Sequence, residues 1–145
     1  MGHKMNRSRT DYIVIHCSDT PSTMDIGAKE IRQWHVVDNG WSDIGYQYVI
    51  RRNGLREHGR PEDAVGSHVK GFNSCSIGIC MVGGKGGSNF TKLQWEELEK
   101  LVKELLKKYP KVEVVGHCEL NSGKACPNFN VQDWLKTIGV KNGNT

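Results

Sequence analysis

The run Ser76-Ile77-Gly78-Ile79-Cys80-Met81-Val82 constrains this chain most. A β-strand sends successive side chains to opposite faces, so a strand apolar at odd and even positions alike must be covered on both sides. The chain therefore needs a sheet with this strand near its centre and a layer above and below it. Helical segments supply the layers. Thr91 to Tyr109 carries Leu98, Leu101, Val102, Leu105, Leu106 and Tyr109 as an apolar stripe. Thr91 and Gln94 have capping-box spacing, and Pro110 stops the helix. On its other faces Glu96/Lys100, Glu99/Lys103 and Glu104/Lys108 are spaced to pair, which reads as a solvated surface. Ala28 to Asp38 is a second helix, with Ile31, Trp34, His35 and Asp38 on one face and Gly40 to end it. Asn130 caps a third, Val131 to Ile138.

Further strands are expected at Tyr12–Ile15, at Tyr46–Arg51 with Tyr46, Tyr48 and Ile50 on one face, at Leu55–His58, and at Val112–Gly116. Asn53-Gly54 is a tight-hairpin signal and forces one antiparallel pair into an otherwise alternating chain. The fold class is α/β: a single domain with a mixed central sheet flanked by helices. Its expected extent is 11–139. Residues 1–10 read as a flexible leading segment, with Met5 as natural start and the first four residues a cloning remnant, and 140–145 as a frayed end.

At 145 residues the chain can bury a core without disulfide support. Five cysteines, an odd number, with no apolar leader, fit reduced thiols and a metal ligand better than a disulfide framework. The net charge of +4 is mild, and a soluble surface explains it without a nucleic-acid or membrane partner.

Chemistry concentrates in His117-Cys118-Glu119-Leu120-Asn121-Ser122-Gly123-Lys124-Ala125-Cys126-Pro127. An imidazole and a thiol bracket a loop that follows a short strand. His16, closing the Tyr12–Ile15 strand, is the third candidate ligand, because a catalytic zinc site uses three protein ligands and leaves one position open. Alternation turns Cys17 away from the face that His16 uses. Spacing alone leaves two readings equally open: a zinc site, or a buried histidine and an ordinary cysteine. With a metal present, Tyr46 can donate a phenolic hydrogen bond and Lys124 can place positive charge beside the ligands; without one they are a core aromatic and a solvent-exposed lysine. His35 reads as a packed or cap-region residue, Cys75 and Cys80 as small buried ones, and Glu119 as a solvated loop carboxylate. Gly83 to Ser88 lacks the ending of a phosphate loop and is a connection. The long loop Gly59 to Asn73 has a length that is often functional.

Val14-Ile15-His16-Cys17-Ser18, Glu30-Ile31-Arg32-Gln33-Trp34-His35, Gly40 to Tyr46, Gly66 to Asn73, Ser76-Ile77-Gly78 and Lys124-Ala125-Cys126-Pro127, in that order, resemble the zinc N-acetylmuramoyl-L-alanine amidases. The likeness is greatest to the T-odd coliphage lysozymes, which are amidases, and peptidoglycan recognition proteins are more distant. The resemblance implies one zinc ion held by His16, His117 and Cys126, catalysis by Tyr46 and Lys124, and a peptidoglycan groove lined by His68 and Asn73. It implies hydrolysis of the amide between muramic acid and L-alanine by a monomer, made in the cytoplasm and reaching the wall once the membrane opens. The alternative on the same fold is a non-catalytic peptidoglycan-binding module; retention of Cys126, Tyr46 and Lys124 speaks against it. Relatives often carry a second histidine where this chain has Cys118.

Overall fold

In the computed structural model, residues 5–142 are described. Five strands form one sheet in the order β3-β2-β4-β1-β5. They are β1 (Tyr12–Cys17), β2 (Tyr48–Ile50), β3 (Arg56–His58), β4 (Ser76–Met81) and β5 (Glu113–Gly116). β1 runs parallel to both β4 and β5, and β2 runs parallel to β4. Only β3, returned by the Asn53-Gly54 turn, is antiparallel, with Tyr48 opposite His58. The sheet is mixed, as expected, and β4 is buried along its whole length.

Two layers cover it. On one face α2 (Lys92–Lys108) and α4 (Val131–Thr137) pack Leu98, Leu101, Leu105, Val131 and Leu135 against Ile13, Ile15, Ile77 and Ile79. On the other, α1 (Ala28–Gln33) sets Ala28 and Ile31 on Val49, Cys80 and Val82. Farther along that face Val69 and Phe72, from the loop before β4, cover Val14 and Val115. Both caps read from sequence form: Gln94 N–H donates to Thr91 Oγ1 at 3.1 Å, and Asp133 N–H to Asn130 Oδ1 at 2.9 Å. Cys75 and Cys80 are buried free thiols.

Several expectations change. The helix from Ala28 switches to π-helical geometry at Trp34–Asp38, so simple 3.6-residue spacing does not hold across His35. Tyr46 does not share a face with Tyr48 and Ile50. The chain bends at Gln47, where Gly59 and Arg60 donate to the consecutive carbonyls of Gln47 and Tyr46 at 2.8 Å each. Tyr48 and Ile50 therefore join the α2 side, and Tyr46 packs on the α1 side. Of the spaced pairs on α2, Glu99–Lys103 closes at 2.7 Å. Glu104 instead takes both arms of Arg56 from β3 at 2.8 Å, and Lys108 reaches Glu62 at 2.8 Å. That helix surface ties the hairpin and the long loop to the core.

The ends are also held. Residues 5–10 are not a loose leader: Arg7 N–H donates to Asp63 O at 2.7 Å, Val65 N–H to Met5 O at 2.7 Å, and the Arg7 guanidinium binds the Glu62 and Ala64 carbonyls. Asn142 accepts from Val114 N–H at 2.6 Å and donates to Val114 O at 2.7 Å, covering the exposed edge of β5. The expected remnant at 1–4 and the last residues 143–145 lie outside the described residues.

Candidate metal centre and active site

The parallel register places the C-terminal ends of β1 and β5 side by side, Ile15 opposite Gly116. His16 follows Ile15 on the face away from α2, and His117 follows Gly116. Rather than entering a loop, the chain turns at once into a short helix, α3 (His117–Leu120). Glu119 belongs to that turn: its carboxylate accepts from Gly116 N–H at 2.7 Å and from Gln132 Nε2 at 3.0 Å. It is a cap and an anchor to α4; the carboxylate is exposed, as the sequence reading expects, but it belongs to a helical turn and not to a loop.

Cys126 arrives from the far side of α3. Cys118 N–H donates to the Cys126 carbonyl at 2.9 Å, and Cys17 N–H donates to Cys126 Sγ at 3.1 Å. Asn128 Nδ2 then ties the loop to Gly84 O at 2.6 Å. As a result His16, His117 and Cys126 each bring one ligand atom within 4.8 Å of the others. Among the described residues this cluster gathers the three groups anticipated from sequence, and neither Cys17 nor Cys118 joins it.

The donor set suits a borderline-soft divalent cation such as zinc, with two imidazoles and one thiol. His16 is 1% exposed, and burial, with the His68 and His117 imidazoles nearby, pushes its pKa well down. Burial and the Lys124 ammonium lower that of His117. Both rings are thus neutral at pH 7, the form that ligates. A hydrogen bond with the Cys17 thiol, together with burial, pushes the Cys126 thiol up, so a cation is needed to make it a thiolate.

His16 is the hub of the aromatic packing, with ring centroids 4.5 Å from His117, 5.0 Å from Tyr46 and 5.0 Å from His68. Tyr46 reaches this position because the bend at Gln47 turns it inward and because residue 45 is glycine. A Cβ there would overlap the Ser67 carbonyl. His35 steadies the same turn: its Nδ1 accepts from Gly45 N–H at 2.9 Å, and its ring lies 4.6 Å from Trp41. The sequence reading of His35 as a packed residue holds. Desolvation, with the Cys80, Cys126 and Cys17 thiols around it, pushes the Tyr46 hydroxyl well up, so it remains a donor at neutral pH.

The cluster lies in a cleft of about 900 Å³. Lys124 is exposed on its rim, as are Lys70 and Trp41, neither of which was singled out from sequence. A tryptophan in a polar turn was the available signal. His68 and Asn73 also border the cleft, but both His68 ring nitrogens and the Asn73 amide oxygen bond within the protein. Asn73 Oδ1 accepts from His68 and Val69 N–H, both at 2.8 Å, and His68 is 9% exposed.

Residues 6–129 match the N-acetylmuramoyl-L-alanine amidase family. The chain belongs to that family. It is 48% identical over 136 residues to the endolysin of Enterobacteria phage K11, covering 90% of this chain and 89% of the relative. To the endolysin of Escherichia phage T7 it is 46% identical over 133 residues, covering 88% and 87%. The solved N-acetylmuramoyl-L-alanine amidase endolysin of Clostridium intestinale superposes with a TM-score of 0.84 at 29% identity, covering 97% of this chain and 90% of that one. Peptidoglycan-recognition proteins are more distant relatives. This amidase is thus an endolysin-type enzyme whose substrate class is peptidoglycan, and the resemblance read from its segments holds.

Proposed function

We propose that this amidase hydrolyses the bond between the lactyl group of muramic acid and L-alanine with one zinc ion on His16, His117 and Cys126. The approach of these three ligand atoms to within 4.8 Å of one another supports this reading most directly. Zinc bound there would polarise the scissile carbonyl and bring the pKa of a water molecule to about 7.

The remaining work belongs to the chain's own groups. Tyr46, protonated and beside His16, donates a hydrogen bond to the carbonyl oxygen as negative charge develops on it. Lys124 presents an ammonium on the rim near His117, adding positive charge where that oxyanion forms. His68 and Asn73 shape the wall on which the stem peptide lies. The enzyme acts as a monomer on the cell wall, reaching it from the cytoplasm once the membrane is breached. No helix among the described residues is long and apolar enough to cross a membrane.

The test is digestion of purified peptidoglycan with and without a zinc chelator, scoring new amino groups against new reducing ends. Chelator-sensitive amino groups that zinc restores are expected. Release of reducing ends would replace amide cleavage by glycosidic cleavage.

A further inference from the structure

His68 is built into the protein more deliberately than a groove-lining residue needs to be. Its ring fills a slot between the long loop and β4 that two glycines keep open. A Cβ on Gly78 would fall 2.6 Å from His68 Cγ, and one on Gly66 would fall 2.7 Å from His68 Cδ2. Gln47 braces the slot, accepting from Gly78 N–H at 2.7 Å and donating to Ala64 O at 3.0 Å.

Both ring nitrogens of His68 are engaged. Nδ1 lies 2.9 Å from His16 Nε2, and Nε2 lies 3.2 Å from Ser76 Oγ. The proton positions follow from the far end of this chain. Ser76 Oγ is 2.7 Å from the Phe72 carbonyl, which can only accept, so the single hydroxyl proton goes there. Ser76 Oγ must then accept from His68 Nε2–H. A neutral His68 protonated at Nε2 has a bare Nδ1, which accepts from His16 Nε2–H. His16 is left with a bare Nδ1.

The geometry points to His68 as the positioning residue of the metal centre: through the chain Phe72 carbonyl, Ser76, His68, it fixes the tautomer of His16 and presents His16 Nδ1 as the ligand atom. This rests on His16 being a metal ligand. The physical advantage is that a ligating imidazole held by its other N–H has its ring orientation set before the metal arrives, and such partners typically change metal affinity 10–100-fold. A 9%-exposed histidine with two satisfied nitrogens has no spare polar atom for substrate.

The tautomers can be read directly by long-range ¹H–¹⁵N correlation spectra of the ¹⁵N-labelled chain before zinc is added. His16 and His68 are both expected to be protonated at Nε2 and bare at Nδ1. A His16 protonated at Nδ1 overturns the assignment. Zinc affinity, measured by competition with a chromophoric chelator, then tests the consequence. His68→Leu, which removes the acceptor, is expected to weaken zinc about 10–100-fold. His68→Gln, whose amide oxygen can accept from His16 while its NH₂ donates to Ser76, is expected to recover most of that loss. Equal affinities for wild type and folded His68→Leu, or equal losses in the Leu and Gln variants, overturn the proposal. A wild-type chain that takes up no zinc would refute the metal reading of the site, while the proton positions would still be judged by their own spectrum.

Discussion

Gly78 and His68 compete for one volume: the Cβ that any other residue would carry at position 78 falls 2.6 Å from the His68 ring carbon Cγ and 2.7 Å from Nδ1. The centre of β4 therefore has no side chain on the face toward the site, although every neighbour in the strand is buried. Gly78→Ala is expected to push the ring out of its slot, costing about 1–3 kcal/mol by overpacking. Urea denaturation gives the stability loss, and chelator competition should show zinc affinity falling beyond what the loss of folded protein explains. An unchanged zinc affinity in a folded Gly78→Ala chain would mean the slot does not matter to the metal.

The three proposed ligands and the two proposed catalytic groups should separate cleanly. Cys126→Ala is expected to lose bound zinc and activity together, since two imidazoles alone leave a catalytic site one protein ligand short. Tyr46→Phe and Lys124→Ala are expected to retain zinc and lose turnover by about 10²-fold or more, the scale for removing one group that stabilises the oxyanion. Metal content by atomic absorption beside rates of amino-group release decides it. Zinc loss in either of the latter two would remove that residue from its assigned role.

Glu62 links three parts of the molecule. It accepts from Tyr48 OH at 2.5 Å, Tyr109 OH at 2.7 Å and Lys108 Nζ at 2.8 Å. Burial works to raise its pKa, but the Lys108, Tyr48 and Tyr109 hydrogen bonds outweigh it and hold the carboxyl below its ordinary value. A depressed folded-state pKa gives stability that is present above the unfolded value, about 4.3, and is lost as pH falls through the folded value. Glu62→Gln is expected to cost about 1–3 kcal/mol at pH 7, with the gap to wild type narrowing below pH ~4.3. Urea midpoints of both proteins across pH 3 to 7 test this; a gap constant with pH would exclude the charged carboxylate as its source.

Arg56 clamps the edge hairpin to α2, with Glu97 at 2.7 Å and Glu104 gripped through both guanidinium arms at 2.8 Å. The Glu104 half is exposed and the Glu97 half is largely sheltered, so salt screens only part of the interaction. Arg56→Ala is expected to lower stability by about 1 kcal/mol and leave turnover unchanged, because β3 lies at the sheet edge away from His16. Thermal melts at low and high salt check the first part, and wall digestion the second.

Asn142 replaces a neighbouring strand at the edge of β5. Asn142→Ala leaves Val114 N–H to water, while Gln132 Nε2 still donates to the Val114 carbonyl at 3.0 Å, and is expected to cost about 1 kcal/mol, with faster amide exchange at Val114 than at its β1 partner Ile13. Unchanged exchange at Val114 would show that the side chain is not what protects this edge.

What local sequence could determine here is what neighbouring residues determine through backbone geometry. β4 is apolar on both faces and is central. The Thr91 capping box and the stripe from Leu98 start and orient α2, and Asn53-Gly54 turns β2 into an antiparallel partner. Strand alternation also separated His16 from Cys17. The convergence of the site was beyond periodicity. Cys126 meets Cys17 across 109 positions only because β5 lies parallel beside β1 and α3 turns the chain back. Spacing alone left zinc and a buried histidine equally open, and the likeness of whole segments to the amidases, not spacing, pointed to His16, His117 and Cys126 as the proposed ligands. Tyr46 lies on the site face because a bend at Gln47 shifts it out of strand alternation, and Glu104 and Lys108 pair with β3 and the long loop rather than along their own helix. His68 makes the contrast sharpest: its sequence neighbourhood is a polar loop, yet Gly66 and Gly78 open a slot for it beneath His16. Repeating contacts follow from the backbone of one element, whereas contacts between elements depend on how the sheet orders its strands, and that order is settled only when the whole chain packs.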